Sequence, residues 1–256
     1  MKALNAIAMA AALLAAGIAA TSPATAAEVP VGAKNIVLVP GSFVDGSGWR
    51  TVHDILWLKG YRITVVGQPH TSFADDVAAT RVALDQQDGP AILVGHSSGA
   101  AVVSTAGDSD KVKALVFVAG LLPDVGESLG QVIGTMPSPS NDIVATADGH
   151  LYFDRAKFNA DFAGDLTPNR TNFLAASQVP ATAAAFSTQI TTAAWKSKPS
   201  YAIVSAEDRA LSPDLQRWMY QRAGARVTEV KGSHLVYISQ PEAVAKVIIE
   251  AAQSAQ

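Results

Sequence analysis

One stretch decides the fold of this chain: Ala91-Ile92-Leu93-Val94-Gly95-His96-Ser97-Ser98-Gly99-Ala100. Its apolar, uncharged beginning predicts a strand that is buried on both faces of a sheet. The strand leads into Gly-x-Ser-x-Gly, and residues 101–104 after it can start a helix. A strand, a tight turn and a helix are the context in which this pattern indicates a nucleophile elbow, with Ser97 exposed above the sheet. Without those flanks the pattern would indicate only a Gly/Ser-rich loop.

Strand and helix patterns alternate on both sides of this elbow. We predict strands at 35–39, 61–66, 112–119, 201–205 and 226–230, and helices at 48–58, 72–86 and 241–252. Ser72 is expected to cap its helix, with Asp75 and Asp76 near the positive end of the helix dipole. Such alternation predicts an α/β fold in which a mostly parallel sheet is flanked by helices.

The alternation stops between residues 121 and 199. This segment is rich in proline, and its apolar residues recur at helical spacing in pieces such as 155–162. It is either a disordered insertion or a small helical lid over the site. Its aromatic content is too high for a solvated tail and favours the lid. The aromatic residues concerned are Phe153, Phe158, Phe162, Phe173, Phe186 and Trp195.

The first residues predict a secretory signal peptide at 1–26. Met1-Lys2 precedes an Ala/Leu/Ile-rich run, and a small-residue site allows cleavage after Ala26 or Ala27. The alternative is an uncleaved anchor, because the apolar run approaches the length of a membrane span. The small-residue site favours cleavage, so we expect a secreted or periplasmic protein with one domain at 27–256 and a lid at about 121–199.

Composition excludes several classes of function. The chain has 19 basic and 22 acidic residues, a net charge of −3 without blocks of like charge, so we expect no nucleic-acid partner. It has no cysteine, which excludes disulfides, a thiol nucleophile and a thiolate metal site. After the signal, no stretch is long and apolar enough for stable membrane insertion. We expect no metal and no cofactor, and composition does not define the oligomeric state.

A serine hydroxyl is a weak nucleophile unless a base accepts its proton, so a histidine is needed. His234 follows the last predicted strand, and loops at the carboxyl ends of parallel strands share one edge of a sheet. That places His234 beside Ser97. The other histidines are in less suitable places: His53 in a helix pattern, His70 in a loop, His96 inside the elbow pointing away from the serine, and His150 in the lid.

The imidazole also needs a carboxylate that selects its tautomer. Asp208 follows the strand at 201–205, and the order Ser, Asp, His is that of α/β-hydrolase triads. Asp124 follows the preceding strand and is the rival candidate, although it stands where the lid begins. For the oxyanion we expect two backbone donors, the N–H of Ser98 and the N–H of Ser42 after the first strand.

Longer motifs resemble a known family. They are VLVPGSFVDGSGW (37–49), SFADDVAATRVAL (72–84), ILVGHSSGA (92–100), AEDR (206–209) and KGSHLVYISQPEAVA (231–245). The chain resembles α/β-hydrolases of the branch that contains plant-type esterases and hydroxynitrile lyases, especially the small bacterial hydrolases similar to them. The resemblance implies the α/β-hydrolase fold, the nucleophile Ser97, the acid Asp208, the base His234 and oxyanion donors at Ser42 and Ser98.

One departure concerns the loop after the first strand, where Pro40 stands in place of the histidine usual in the family. Proline removes a side-chain donor and a backbone N–H, but it leaves the N–H of Ser42. We expect a serine hydrolase, a carboxylesterase for small apolar or aromatic esters, with Phe43, Leu121 and Trp195 in the pocket wall. The alternatives are a lyase that uses the same three residues for acid–base chemistry, and a non-catalytic ligand-binding protein on this scaffold.

Overall fold

The structure, a computed structural model, describes residues 30–255, so the predicted signal peptide lies outside the described residues. The strands are β1 Asn35–Val39, β2 Arg62–Val65, β3 Ala91–His96, β4 Val112–Val118, β5 Ile143–Ala145, β6 His150–Phe153, β7 Ala181–Thr182, β8 Ser200–Ser205 and β9 Arg226–Val230. The helices are α1 Arg50–Leu58, α2 Phe73–Asp85, α3 Gly99–Ala106, α4 Leu129–Ile133, α5 Pro168–Ala176, α6 Ala183–Ser187, α7 Pro213–Arg222, α8 Val236–Ser239 and α9 Pro241–Ser254. Among residues 30–255, no helix is both long and apolar enough to cross a bilayer.

The main sheet confirms the predicted parallel architecture. Within the described residues it has six parallel strands in the order β2-β1-β3-β4-β8-β9. The elbow strand β3 lies between β1 and β4 and is buried along its whole length. The carboxyl ends of the strands therefore meet at one edge, with the end of β3 near the middle.

Two apolar layers cover the sheet because successive side chains of a strand point to opposite faces. Ile36 and Leu38 of β1 pack in a cluster with residues of α1 and α9. Val37 and Val39 pack in a second cluster with residues of α2, α3 and α7. As predicted, the side chain of Ser72 caps α2 by accepting a hydrogen bond from the Asp75 N–H at 3.0 Å.

The segment at 121–199 differs from the helical lid that its spacing predicted. It contains α4, α5 and α6, but β5, β6 and β7 also form an antiparallel sheet within it. The predicted helix at 155–162 is reduced to one wide turn, Phe158–Phe162. Asp148-Gly149 closes the β5–β6 hairpin, with Gly149 at φ +86°. Asp-Gly between apolar runs is a strong hairpin signal, so the sequence held the information that the helical prediction missed.

Candidate active site

The nucleophile elbow has the geometry that its sequence predicts. Ser97 stands between β3 and α3 with φ +52°, a left-handed conformation that is uncommon for residues other than glycine. A Cβ on Gly95 would lie 2.4 Å from the carbonyl oxygen of Gly99. Only glycine therefore permits this approach of strand and helix, and the tight turn leaves Ser97 half-buried at the sheet edge.

A hydrogen-bonded chain joins the three side chains expected to form the triad. The Nε2 atom of His234 lies 2.9 Å from the Oγ atom of Ser97. Its Nδ1 atom lies 2.6 Å from an Oδ2 oxygen of Asp208. His234 is 3% exposed and Asp208 is 1% exposed. With Nδ1–H donating to the carboxylate, Nε2 is free to accept the serine proton.

The carboxylate of Asp208 is held from both sides. Its Oδ1 atom accepts hydrogen bonds from the backbone N–H groups of Ala210 at 2.9 Å and Leu211 at 2.8 Å. The Nε2 atom of Gln216 donates to Oδ2 at 2.8 Å. Gln216 is wholly buried, and its Oε1 atom accepts from the N–H of Ser205 at 3.0 Å. These bonds orient Oδ2 toward the imidazole.

Sequence reasoning did not find Gln216. It lies on the buried face of α7 together with Leu215, Met219 and Tyr220. A polar amide on an otherwise apolar helix face requires a buried hydrogen-bond partner. This pattern in the sequence could have identified Gln216 as a residue with a buried polar contact. Only the fold shows that the partner is Asp208.

Asp124, the rival acid, lies outside this chain of hydrogen bonds. Its Oδ1 atom pairs with the ammonium of Lys196 at 2.7 Å. Burial raises the pKa of Asp124, but Lys196 and the backbone N–H of Val125 outweigh burial and hold that pKa below its usual value. The carboxylate therefore stabilises the lid entrance as an ion pair.

His96, the histidine of the elbow, contacts the backbone of His234. Its Nε2–H donates to the carbonyl oxygen of His234 at 3.0 Å, and the two rings are 4.9 Å apart. Burial lowers the pKa of His96 well below its usual value, and the nearby His234 adds to that effect. His96 is therefore a neutral donor that positions the backbone of His234. The remaining histidines each pair with an aspartate: His53 with Asp54, His70 with Asp76 and His150 with Asp148.

The segment at 121–199 also contacts the base. Asp165 accepts hydrogen bonds from both the N–H and the hydroxyl of Ser233, the residue before His234, and the N–H bond measures 3.0 Å. The ring of Phe162 lies 4.8 Å from the His234 imidazole. Next to the acid, Arg209 donates to Asp161 at 2.6 Å. Lid side chains thus hold both loops that present the triad.

The expected oxyanion donors differ in their availability. The N–H of Ser98 has no hydrogen-bond partner among residues 30–255. The N–H of Ser42 is engaged, because it donates to the Oγ atom of Ser98 at 2.8 Å. The two hydroxyl oxygens of these serines are 2.9 Å apart. The Ser42 N–H, which we expected to donate to the oxyanion, thus has the Oγ atom of Ser98 as its acceptor in this structure.

The cavity above Ser97 is small and apolar. Its volume is about 40 Å³, enough for a few water molecules. Phe43 and Leu121 lie in its wall, as expected, together with Ile133, Ile143, Phe153, Phe162, Phe186, Ala210 and Leu211. Trp195, the third residue expected in the pocket wall, does not line this cavity. Its indole is buried in the α2–α3 layer, and its Nε1–H donates to the carbonyl of Pro123 at 3.2 Å.

Metal binding has no evident site in the described part of the chain. Residues 30–255 contain no cluster of three or more His, Asp or Glu side chains arranged to hold an ion.

A family model described as the alpha/beta hydrolase family matches residues 36–247. The chain belongs to the alpha/beta hydrolase family. The match includes β1 from its second residue, the elbow, the loops that carry Asp208 and His234, and the first half of α9. It confirms the resemblance drawn from the motifs.

Similar alpha/beta hydrolases include plant and bacterial proteins. Norfluorocurarine synthase 2 from Strychnos sp. is 25% identical over an alignment of 259 positions, which covers 85% of this chain and 94% of that protein. A pyrethroid hydrolase from Sphingobium faniae has a TM-score of 0.72 and 22% identity, covering 87% of this chain and 98% of the other. Polyneuridine aldehyde esterase has a TM-score of 0.73 and 18% identity, covering 85% and 98%. At these identities the two solved structures show the shared fold.

Proposed function

We propose that this alpha/beta hydrolase is a serine hydrolase, a carboxylesterase that acts on small apolar or aromatic esters. The observation that supports this most is the hydrogen-bonded chain from Ser97 through His234 to Asp208, with bonds of 2.9 Å and 2.6 Å. It combines a serine whose backbone is in the left-handed region, a histidine whose Nε2 atom can accept the serine proton, and a buried carboxylate. A binding protein on this scaffold would not need all three in reactive order.

In the proposed reaction, the Oγ atom of Ser97 attacks the ester carbonyl while its proton passes to Nε2 of His234. The carbonyl electron pair moves onto the oxygen, which the oxyanion donors stabilise. Collapse of this intermediate expels the alcohol, which takes the proton from His234, and leaves an acyl-enzyme. Water then attacks the acyl group in the same way and releases the acid. Asp208 stays ionised and stabilises the imidazolium.

The substrate class is inferred from the cavity wall. Apart from His234, the residues that line the cavity have no acidic or basic side chain, and four of them are phenylalanines. A charged substituent would lose its hydration there without gaining a partner, which is costly. The names of two similar proteins, a pyrethroid hydrolase and polyneuridine aldehyde esterase, support a small-molecule ester as the substrate.

Export is part of the proposal and is supported by the sequence of residues 1–26. N-terminal sequencing of protein recovered outside the cytoplasm tests it. A start at Ala27 or Glu28 is expected, whereas a start at Met1 would contradict cleavage.

A fluorophosphonate probe tests the catalytic proposal. The purified protein should be labelled on Ser97 and should hydrolyse short 4-nitrophenyl esters. Ser97→Ala should abolish labelling and lower turnover by up to about 10⁶-fold. Ser104→Ala is a matched control, because this buried serine in α3 lies outside the site and should leave activity unchanged.

The two other functions give different results in the same experiment. A labelled protein that cleaves cyanohydrins but not esters would be a lyase. A folded protein that the probe does not label would be non-catalytic. Either result would overturn the esterase proposal.

A further inference from the structure

Two serine hydroxyls form a buried pair beside the nucleophile. Ser42 is 6% exposed and Ser98 is 7% exposed, and their Oγ atoms are 2.9 Å apart. The loop that carries Ser42 packs closely against the elbow, since a Cβ on the preceding residue, Gly41, would lie 2.6 Å from the Cβ of Ser97. Ser42 lines the cavity together with Ser97 and His234. The pair therefore lies next to the space in which a substrate attacked by Ser97 would bind.

The hydrogens of this pair can be counted. Each hydroxyl has one hydrogen and two lone pairs, and the N–H of Ser42 adds a third donor. That N–H donates to Oγ of Ser98 at 2.8 Å, and only one hydrogen can lie between the two oxygens. Neither hydroxyl has another protein partner among residues 30–255. One O–H hydrogen is therefore left over, in a buried site next to the nucleophile.

We infer that this remaining hydrogen belongs to Ser42 and that its hydroxyl donates to the oxyanion. The order is Ser42 N–H to Ser98 Oγ, Ser98 O–H to Ser42 Oγ, and Ser42 O–H to the oxyanion. Ser42 takes the last place because it is the member of the pair that lines the cavity. Each bond in such a sequence polarises the next and strengthens the final donor. No proton is transferred along the pair.

This inference rests on the proposed function and changes the role of the Ser42 backbone. The oxyanion would receive the N–H of Ser98 and the hydroxyl of Ser42, whereas the N–H of Ser42 serves to hold Ser98. Ser42 would then be a catalytic residue through its side chain, and the hydroxyl of Ser98 a positioning group.

The variants Ser42→Ala and Ser98→Ala, alone and combined, test the arrangement. Ser98→Ala should lower activity in the unmodified protein but raise it when Ser42→Ala is already present. Ser42→Ala removes the donor and should lower kcat by about 10²-fold, with little change in KM. Ser98→Ala should have a smaller effect, because it releases the N–H of residue 42 toward the oxyanion. Adding Ser98→Ala to Ser42→Ala should therefore restore activity relative to Ser42→Ala alone. Ser104→Ala again serves as the control for removing a buried hydroxyl.

A trifluoromethyl ketone separates catalysis from folding, because its adduct with Ser97 carries an oxyanion. The Ser42→Ala variant should bind it more weakly, by about the factor lost in kcat, while its melting temperature stays near that of Ser104→Ala. A Ser42→Ala protein with the kcat of the unmodified protein, or a double variant no more active than Ser42→Ala, would overturn the inference. If fluorophosphonate does not label the unmodified protein, the proposed function itself fails.

Discussion

Two aspartates at the carboxyl edge of the sheet, Asp208 and Asp124, differ in burial and in the groups that their carboxylates contact. Asp208 is buried and accepts hydrogen bonds from Leu211, Gln216 and the imidazole of His234. Asp124 is partly exposed and pairs with the flexible ammonium of Lys196. Both residues follow strands, yet only the first touches the base.

Replacement of each aspartate by asparagine should therefore have very different effects on ester turnover. In Asp208→Asn, an amide NH₂ near Nδ1 favours the wrong tautomer of His234, and kcat should fall by about 10⁴-fold near neutral pH. Asp124→Asn loses only a partly exposed ion pair, so its kcat should fall less than about tenfold. Initial rates on one 4-nitrophenyl ester measure both effects, with folding checked by circular dichroism. The reverse order of effects would move the acid to Asp124.

At the scale of elements, the lid holds the triad loops as well as covering the cavity. Asp165 comes just after the Phe158–Phe162 turn and accepts both hydrogens that Ser233 offers. Ser233 is followed directly in the chain by His234. Small displacements of this loop would misalign an imidazole that must contact two partners at once.

Removal of this contact should lower the catalytic rate. Asp165→Ala leaves the N–H and hydroxyl of Ser233 without a protein acceptor, and a net hydrogen bond of about 1 kcal/mol corresponds to about fivefold in kcat. Asp154→Ala is the control, because the carboxylate of this lid aspartate accepts a hydrogen bond within its own turn, from the N–H of Ala156. Combined with Ser233→Ala, the Asp165→Ala loss should not be additive. Full additivity in kcat would show that the two residues act separately.

At the scale of the whole molecule, the cavity exists only where the lid meets the sheet edge. Phe43 comes from the loop after β1, whereas Phe153 and Phe186 come from the lid. The rings of Phe43 and Phe186 stack with centroids 6.5 Å apart. A volume of about 40 Å³ leaves little space for an acyl chain. In the proposed esterase reaction, the phenylalanines would therefore limit the size of the acyl group.

Phe186→Ala should enlarge this space and shift the preference toward longer esters. The ratio of kcat/KM for an octanoyl ester to that for an acetyl ester should rise by about tenfold, because even one methylene in an apolar pocket can change binding that much. Phe173→Ala is the control, since that ring is 64% exposed and does not line the cavity. An unchanged ratio in Phe186→Ala would show that the acyl group binds elsewhere.

Local sequence was sufficient for the framework of this protein. Buried apolar runs predicted the parallel strands, Ser72 predicted the start of α2, and glycines around Ser97 predicted a turn that only glycine permits. The reason is that strand burial, helix capping and glycine turns depend on residues close together in the chain. The order of strands and loops then placed Ser97, Asp208 and His234 at one edge.

Tertiary structure alone decided what surrounds those residues. Gln216 holds Asp208, Asp165 holds Ser233, and the hydroxyl of Ser98 occupies the N–H of Ser42, although 56 residues separate the two serines. Trp195, an aromatic of the lid segment, proved to be a core residue outside the cavity. Such contacts depend on which faces the packed layers bring together, and a side chain's neighbours across the fold leave no local pattern in the sequence. The sequence therefore determined which groups are available for catalysis, and the packing of the lid against the sheet decided how these groups are oriented.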